Sequence, residues 1–508
     1  MSHMDRTSHE ELARRELARI RSIPLNPKAR MQIPVQDMPS QDPSLRRANM
    51  SEVASGYTAE QAMLESERCL QCKNAPCVTG CPVKIDIPGF LAKARKGDFA
   101  GAVSVIKRTN LLPSICGRVC PQEKQCQLPC TLGKALGGVD KAVQIGRVER
   151  YVADYERQAG LLAPPPAAGP TGKKVAVVGA GPAGLTCAVD VRRQGHKVVI
   201  FEAFHKAGGV MVYGIPEFRL PKDLVASEAG VLESMGVDFE MSFLVGRTRK
   251  LGALLKEDGF DAVFVGTGAG LPKFMNIPGE NLVGVFSANE YLTRANLMKA
   301  YEVGKAATPL YPSRRVAVLG GGNVAMDSAR MALRLGAEEV RVLYRRTREE
   351  MPARGEEVVH AMEEGINFDF LASPTQVLGD QNGRVVGLEV LSYELGEPDE
   401  SGRRRPVPVR GSEKIVPFDT VIVAVGNESN PLISRTTPEL KVDRWGHILV
   451  DEKQKTSIER VYAGGDIVLG AATVILAMGE GRRAAAAINE VPHNNPKTRG
   501  APPRPRHW

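Results

Sequence analysis

Long apolar runs are missing from this 508-residue chain. No stretch approaches the ~20 apolar residues that a membrane-spanning helix needs, so a membrane-embedded protein is not expected. The opening, MSHMDRTSHEELARRELARIR, is charged and has no apolar core, which argues against a secretory signal. Its first residues, MSHM, read as a cloning remnant with Met4 as the natural start, and the expected compartment is cytoplasmic. Concentrated charge is missing too. The balance is +9 over 67 basic and 58 acidic residues, and the basic residues are spread out. That allows anionic cofactors and gives little support to nucleic-acid binding. No Ser/His/Asp-type constellation stands out, and His196 and His205 have no partner pattern. Beyond residue 130 cysteine is almost absent: Cys187 is the one thiol there, and it reads as a core residue.

What is present divides into two kinds of sequence. The length fits about three domains at ~150 residues each. Residues 1–165 read as mostly helical, closing in the linker GLLAPPPAAGPTGKK. Thr58 with Gln61 gives a capping-box helix start, and two more helical periods lie around Gly97. From Lys174 the pattern becomes strand–turn–helix–strand: KVAVVGAGPAGLTCAVDVRRQGHKVVIFEA. A second copy, RRVAVLGGGNVAMDSARMALRLGAEEVRVLYRR, follows about 140 residues later. Two such units predict an α/β protein with two doubly wound, Rossmann-like sheets behind the helical domain. The tail from 493 to 508 is polar, Pro-rich and expected to be disordered.

The first glycine loop has Gly179, Gly181 and Gly184 between a strand and a helix, with Glu202 ending the next strand. Glycines there permit a tight turn and let backbone N–H groups approach a pyrophosphate. Glu202 can accept from ribose hydroxyls. The second loop has Gly320, Gly322 and Ala325. Tyr344 stands where Glu202 stood, followed by Arg345 and Arg346. Arginines suit a 2′-phosphate, which an acid would repel. The pair of sites therefore predicts one bound flavin and one exchangeable NADP(H).

The eight clustered thiols run Cys69, Cys72, Cys77, Cys81-Pro82, then Cys116, Cys120, Cys126, Cys130. Zinc favours two closely spaced pairs, and only Cys69/Cys72 has the two-residue gap. Disulfides are disfavoured in a reducing compartment. The run C-x2-C-x4-C-x3-C-P comes close to the bacterial ferredoxin run, in which the cysteine before proline serves the other cluster. Iron–sulfur is the better reading, with Cys81 leaving the first three. A zinc-stabilised flavoprotein scaffold is the alternative of a different class.

The segments CLQCKNAPCVTGCPV, CGRVCPQEKQC, QIGRVERYVADY, GAGPAGL, GGVMVYGIPEFRLPK, GGGNVAMD, YRRTREEMPA and AGGD together resemble the small (beta) subunit family of NADPH-dependent glutamate synthase. That family includes the large subunit of NADH-dependent reduced ferredoxin:NADP oxidoreductase and the N-terminal half of dihydropyrimidine dehydrogenase. The likeness spans about residues 30 to 490. It implies an FAD-binding domain at 172–285 plus 440–492, with an NADP(H)-binding domain at 286–439 inserted in it. It implies two 4Fe–4S clusters. One would use Cys69, Cys72, Cys77 and Cys130. The other would use Cys81, Cys120 and Cys126 with Glu149 as fourth ligand, leaving Cys116 as a neighbouring thiol; a four-plus-four division would recruit Cys116 instead. Around the flavin the resemblance implies Gly209, Tyr213, Gly214, Arg219, Gly268, Gly465, Asp466 and Thr473. At the nucleotide it implies Asn323, with Glu350 and Met351 near the nicotinamide. The implied activity is hydride exchange between NADP(H) and FAD and electron relay to a partner subunit. That partner is a glutamate synthase large subunit or, in the alternative branch, a small NAD-binding flavoprotein with ferredoxin as acceptor and electron bifurcation.

Overall fold

The computed structural model describes residues 6–400 and 402–491; Met4 and the tail from 493 lie outside the described residues. The first part is helical. Thr58 caps helix Ala59–Glu67 with the reciprocal Gln61 bond. Helices Ile87–Ala94 and Phe99–Lys107 flank Gly97, whose φ of +77° turns the chain between them. Helix Pro113–Val119 lies against helix Ile145–Gln158 at Gly117, where an added Cβ would sit 2.6 Å from the Arg150 nitrogen. That close approach brings Glu149 beside the second group of cysteines.

The first sheet is parallel, in the order Val461–Ala463, Ala262–Val265, Lys174–Val178, Lys197–Phe201, Asp238–Glu240. The second is parallel too: Val285–Ser287, Thr420–Val423, Arg315–Leu319, Glu339–Tyr344, Asn367–Phe370. Their central strands read as continuous apolar runs because both faces are covered; the second sheet packs helices on one face and the antiparallel sheet on the other. An antiparallel sheet of Ala372–Gly379, Val385–Pro398, Arg404–Pro408 and Lys414–Val416 flanks the second. The second sheet is inserted between strands of the first. At the crossings, Leu271–Pro272 and Asn427–Glu428 pair antiparallel. Ile433 and Leu440 already pack in the first sheet's core, so the return crossing precedes the boundary at 440 that the sequence suggested.

The helical part is not a separate body. One core cluster runs from Phe90, Ile115 and Cys116 through Val175 and Cys187 to Met478. Cys187 is thus the core residue its context predicted. The N-terminal segment also docks on the second sheet's domain. Glu364 is fully buried and meets Arg46 (3.0 Å), Arg330 (2.7 Å) and Arg334 (2.7 Å). Phe218 lies under the Arg330 and Arg334 guanidiniums. Among the described residues no helix is long and apolar enough to cross a membrane.

Candidate functional site

A cavity of about 680 Å³ lies between the two sheets. Gly179 and Gly181 of the first loop line it, with Glu202, Gly209, Tyr213, Gly214, Arg219, Gly268, Gly465, Asp466 and Thr473. Asn323 and Asp327, behind the second loop, line it as well. Two of the motif's glycines, Gly179 and Gly184, are demanded by space. A Cβ on Gly179 (φ +103°) would lie 2.5 Å from the Gly266 carbonyl oxygen. One on Gly184 would lie 1.9 Å from the Gly179 carbonyl oxygen, so that glycine packs helix on strand beneath the turn. Glu202 is buried and accepts from the N–H groups of Ala180 (2.7 Å) and Phe204 (2.9 Å). Burial pushes its carboxyl pKa up against those bonds. A carboxylate has about four acceptor positions, which leaves capacity for ribose hydroxyls. Asp466 follows Gly465 (φ +82°), and burial raises its pKa to about 6. Thr473 caps helix Val474–Glu490, whose N-terminus opens on the cavity. A cradle that side chains would fill, flanked by acids, fits a dinucleotide.

Three expectations change here. Arg219 lines the cavity, but its guanidinium is committed to Asp327 (2.7 Å) and Glu357 (3.0 Å), tying the first domain to the second. Arg346 is buried: Nε donates to the Arg404 carbonyl (2.7 Å) and Nη2 to Asp399 (2.6 Å). It therefore holds the antiparallel sheet and is not presented to a 2′-phosphate. Arg345 is exposed at the same strand end, with Arg348 exposed beyond it. Glu350 and Met351 do not line the cavity. Glu350 caps its own turn through Thr347, and Met351 packs in the second domain's core. The second loop otherwise matches its motif. A Cβ on Gly320 (φ +136°) would lie 2.4 Å from the Ala424 carbonyl oxygen. Gly322 caps helix Asn323–Arg334, and Ala325 is buried beneath it. A Cβ on Gly321 would lie 2.7 Å from the Tyr344 ring.

The cysteines separate into two places. Cys69, Cys72, Cys77 and Cys130 line one small cavity walled by Ile87, Leu91, Leu132, Val143 and Ile145. Gln71 (φ +53°) and Ala75 (φ +24°) hold strained backbone on either side of Cys72, a cost that recurs at functional sites. Burial pushes the Cys77 thiol up to about 12, with Cys69 and Cys130 adding to it. Cys81, Cys116, Cys120, Cys126 and Glu149 are near enough to influence one another's charge. The Cys120 thiol is raised well above its ordinary value by its hydrogen bond with Cys116 and by burial, with Arg354 opposing. Glu149 is buried, accepts from Asn110 Nδ2 at 2.6 Å, and is raised to about 8 by burial. Cys116 Sγ faces Asn110 Oδ1 and Met478 Sδ, each at 3.6 Å. A bound metal group offsets the cost of ionising buried sulfurs, and four cysteines around one apolar cavity fit an iron–sulfur group.

The two places stand at different depths. Val119 and Pro121, on either side of Cys120, form part of the cofactor cavity wall. Gln125 Nε2 donates to Thr473 Oγ1 at 3.3 Å. Cys72 and Cys77 are only half-buried. Sequence reasoning missed Val119, Pro121 and Arg354 as neighbours of the site, because no local pattern distinguishes them.

Two family profiles match the chain: dihydropyrimidine dehydrogenase domain II, 4Fe-4S cluster, over residues 46–161, and pyridine nucleotide-disulphide oxidoreductase over 173–490. The chain is 40% identical over 458 residues to the glutamate synthase [NADPH] small chain of Halomonas elongata, covering 89% of this chain and 95% of that one. It is 39% identical to the NADP(+)-dependent formate dehydrogenase subunit beta of Moorella thermoacetica, covering 82% of this chain and 60% of that one. Among solved structures, Mycobacterium tuberculosis FprA in complex with NADPH matches with a TM-score of 0.52 at 19% identity. That match covers 62% of this chain and 83% of the other, and shows a shared fold.

Proposed function

The chain belongs to the glutamate synthase small-chain family and is an NAD(P)H/FAD oxidoreductase subunit, and from that premise we propose that it carries electrons from NADPH to a glutamate synthase large subunit. The bound groups supply the redox chemistry: hydride exchange between NADP(H) and FAD, then single-electron relay through two 4Fe–4S clusters. The chain's own residues hold and order these groups. Gly179, Gly181, Glu202 and Asp466 cradle the flavin side of the cavity. Asn323 and the Gly320 loop hold the nicotinamide nucleotide on the other side, with Arg345 meeting its 2′-phosphate. Cys81, Cys120 and Cys126 with Glu149 hold the inner cluster. Cys69, Cys72, Cys77 and Cys130 hold the outer one.

One observation carries this reading: Val119 and Pro121, flanking Cys120, wall the cavity that the first loop's glycines share with Asn323. The inner cysteines therefore adjoin the flavin site, and the half-buried Cys72 and Cys77 face the outside, where a partner docks. The test is anaerobic purification from the native cell, with copurifying chains weighed. A partner several times the length of this chain supports the assignment. A small flavoprotein instead, with ferredoxin as acceptor, replaces it with the bifurcating role. A protein carrying flavin but zinc in place of iron ends both.

A further inference from the structure

A short strap, residues 351–354, runs between the second nucleotide loop and the inner cysteines, and it is tied to both. On the nucleotide side, Ala353 N–H donates to the Gly321 carbonyl (3.2 Å) and Arg354 N–H to Asn323 Oδ1 (2.9 Å). On the cysteine side, Arg354 Nη1 donates to the Arg118 carbonyl (2.8 Å) and Nη2 to Gln122 Oε1 (3.3 Å). Lys124 Nζ donates to the Pro352 carbonyl at 2.8 Å. Arg118 and Gln122 bracket Cys120. Arg354 is buried, with its guanidinium bonded to residues on both sides of Cys120. Glu356 (3.0 Å) and Glu123 (3.8 Å) balance that charge. The distinctive feature is thus the rigid fork of donors gripping the cysteine loop, which an ammonium cannot reproduce.

We propose that Arg354 is a positioning residue that couples nucleotide binding at the Gly320 loop to the redox state of the inner cluster. The inference rests on the cluster reading above. One added electron puts a negative charge beside Cys120, and short-range fields are strong where water is excluded. The fork responds as a unit with its own backbone, and that backbone N–H holds Asn323, a wall of the nucleotide site. Coupling is reciprocal: whatever reduction does to nucleotide affinity, the nucleotide does to the reduction equilibrium.

The probe is adenosine 2′,5′-bisphosphate, which has the nucleotide's 2′-phosphate and its adenosine-side 5′-phosphate and no nicotinamide to exchange hydride. The full chain, purified anaerobically and checked for iron, sulfide and flavin, is titrated potentiometrically with the inner cluster followed by electron paramagnetic resonance. Midpoints are compared with and without the probe. For the wild type, affinities for the two redox states should differ at least about fivefold; a tenfold ratio appears as about 59 mV for one electron. Arg354→Gln and Arg354→Lys should each bring the ratio to about one with iron and flavin retained. A wild-type ratio near one overturns the proposal, as does an Arg354→Lys protein that keeps the full shift. A chain without iron is recognised before any titration; it removes the cluster reading, and this inference with it.

Discussion

The two adjacent arginines at the end of strand Glu339–Tyr344 should behave oppositely. Arg345 is exposed beside the nucleotide loop. On the proposed 2′-phosphate contact, replacing it by Ala should cost about 1.5–3 kcal/mol of charge-assisted binding, roughly a 10- to 150-fold rise in Kd. Only NADP+ should show it, since NAD+ has no 2′-phosphate. Arg346 is buried, with its guanidinium 2.6 Å from Asp399 and 2.7 Å from the Arg404 carbonyl. Breaking a fully buried pair costs about 3–5 kcal/mol. Asp399 keeps 25% of its side-chain surface, so water recovers part of that, and about 1–3 kcal/mol of stability is expected to go. Calorimetric titration of both variants with NADP+ and NAD+, beside thermal denaturation, separates the two roles. If Arg346→Ala selectively weakens NADP+ at unchanged melting temperature, the assignment of Arg346 to the sheet is refuted. If Arg345→Ala weakens both nucleotides alike, the 2′-phosphate role is refuted.

Other substitutions probe other parts of the chain. Gly184→Ala places a methyl 1.9 Å from the Gly179 carbonyl oxygen; the purified protein should lose bound flavin, read from its visible spectrum. Glu149→Ala should abolish or convert the inner cluster's resonance and leave the outer one intact, whereas Cys116→Ser should leave both; the reverse result assigns the fourth ligand to Cys116. Glu228 supplies a pH test. Burial raises its carboxyl to about 7, with the Ser114 hydroxyl donating to it at 2.6 Å. A raised carboxyl pKa means the folded state binds the proton more tightly than the unfolded one. Its contribution is therefore fully present below the unfolded value, and it is lost as pH rises from the ordinary 4.5 through about 7. Glu228→Gln retains the acceptor and should be more stable than wild type near pH 8, by about 1–3 kcal/mol, and indistinguishable from it near pH 4. Denaturant midpoints that shift equally at both pH values would contradict this.

Much of the protein was determined by local sequence. Strand, glycine turn and helix are read within thirty-odd residues, because steric exclusion at Gly179, Gly184 and Gly320 acts between atoms close along the chain or one strand away. The Thr58–Gln61 capping box and the turn at Gly97 are equally local. Spacing alone separated Cys81 from its three predecessors, and Cys130 came to that first group by family likeness. Tertiary structure decided the rest. Arg345 and Arg346 are neighbours of identical chemistry, and only the approach of Asp399 from another sheet makes one a buried tie and the other an exposed cation. Arg219 lines the cavity, and only the meeting of the two domains pairs its guanidinium with Asp327 and Glu357. Whether the inner cysteines adjoin the flavin site depends on Val119 and Pro121 meeting a cavity whose first loop begins some sixty residues later. No periodicity records such encounters, because burial and charge pairing between distant segments are settled only when the domains close on one another.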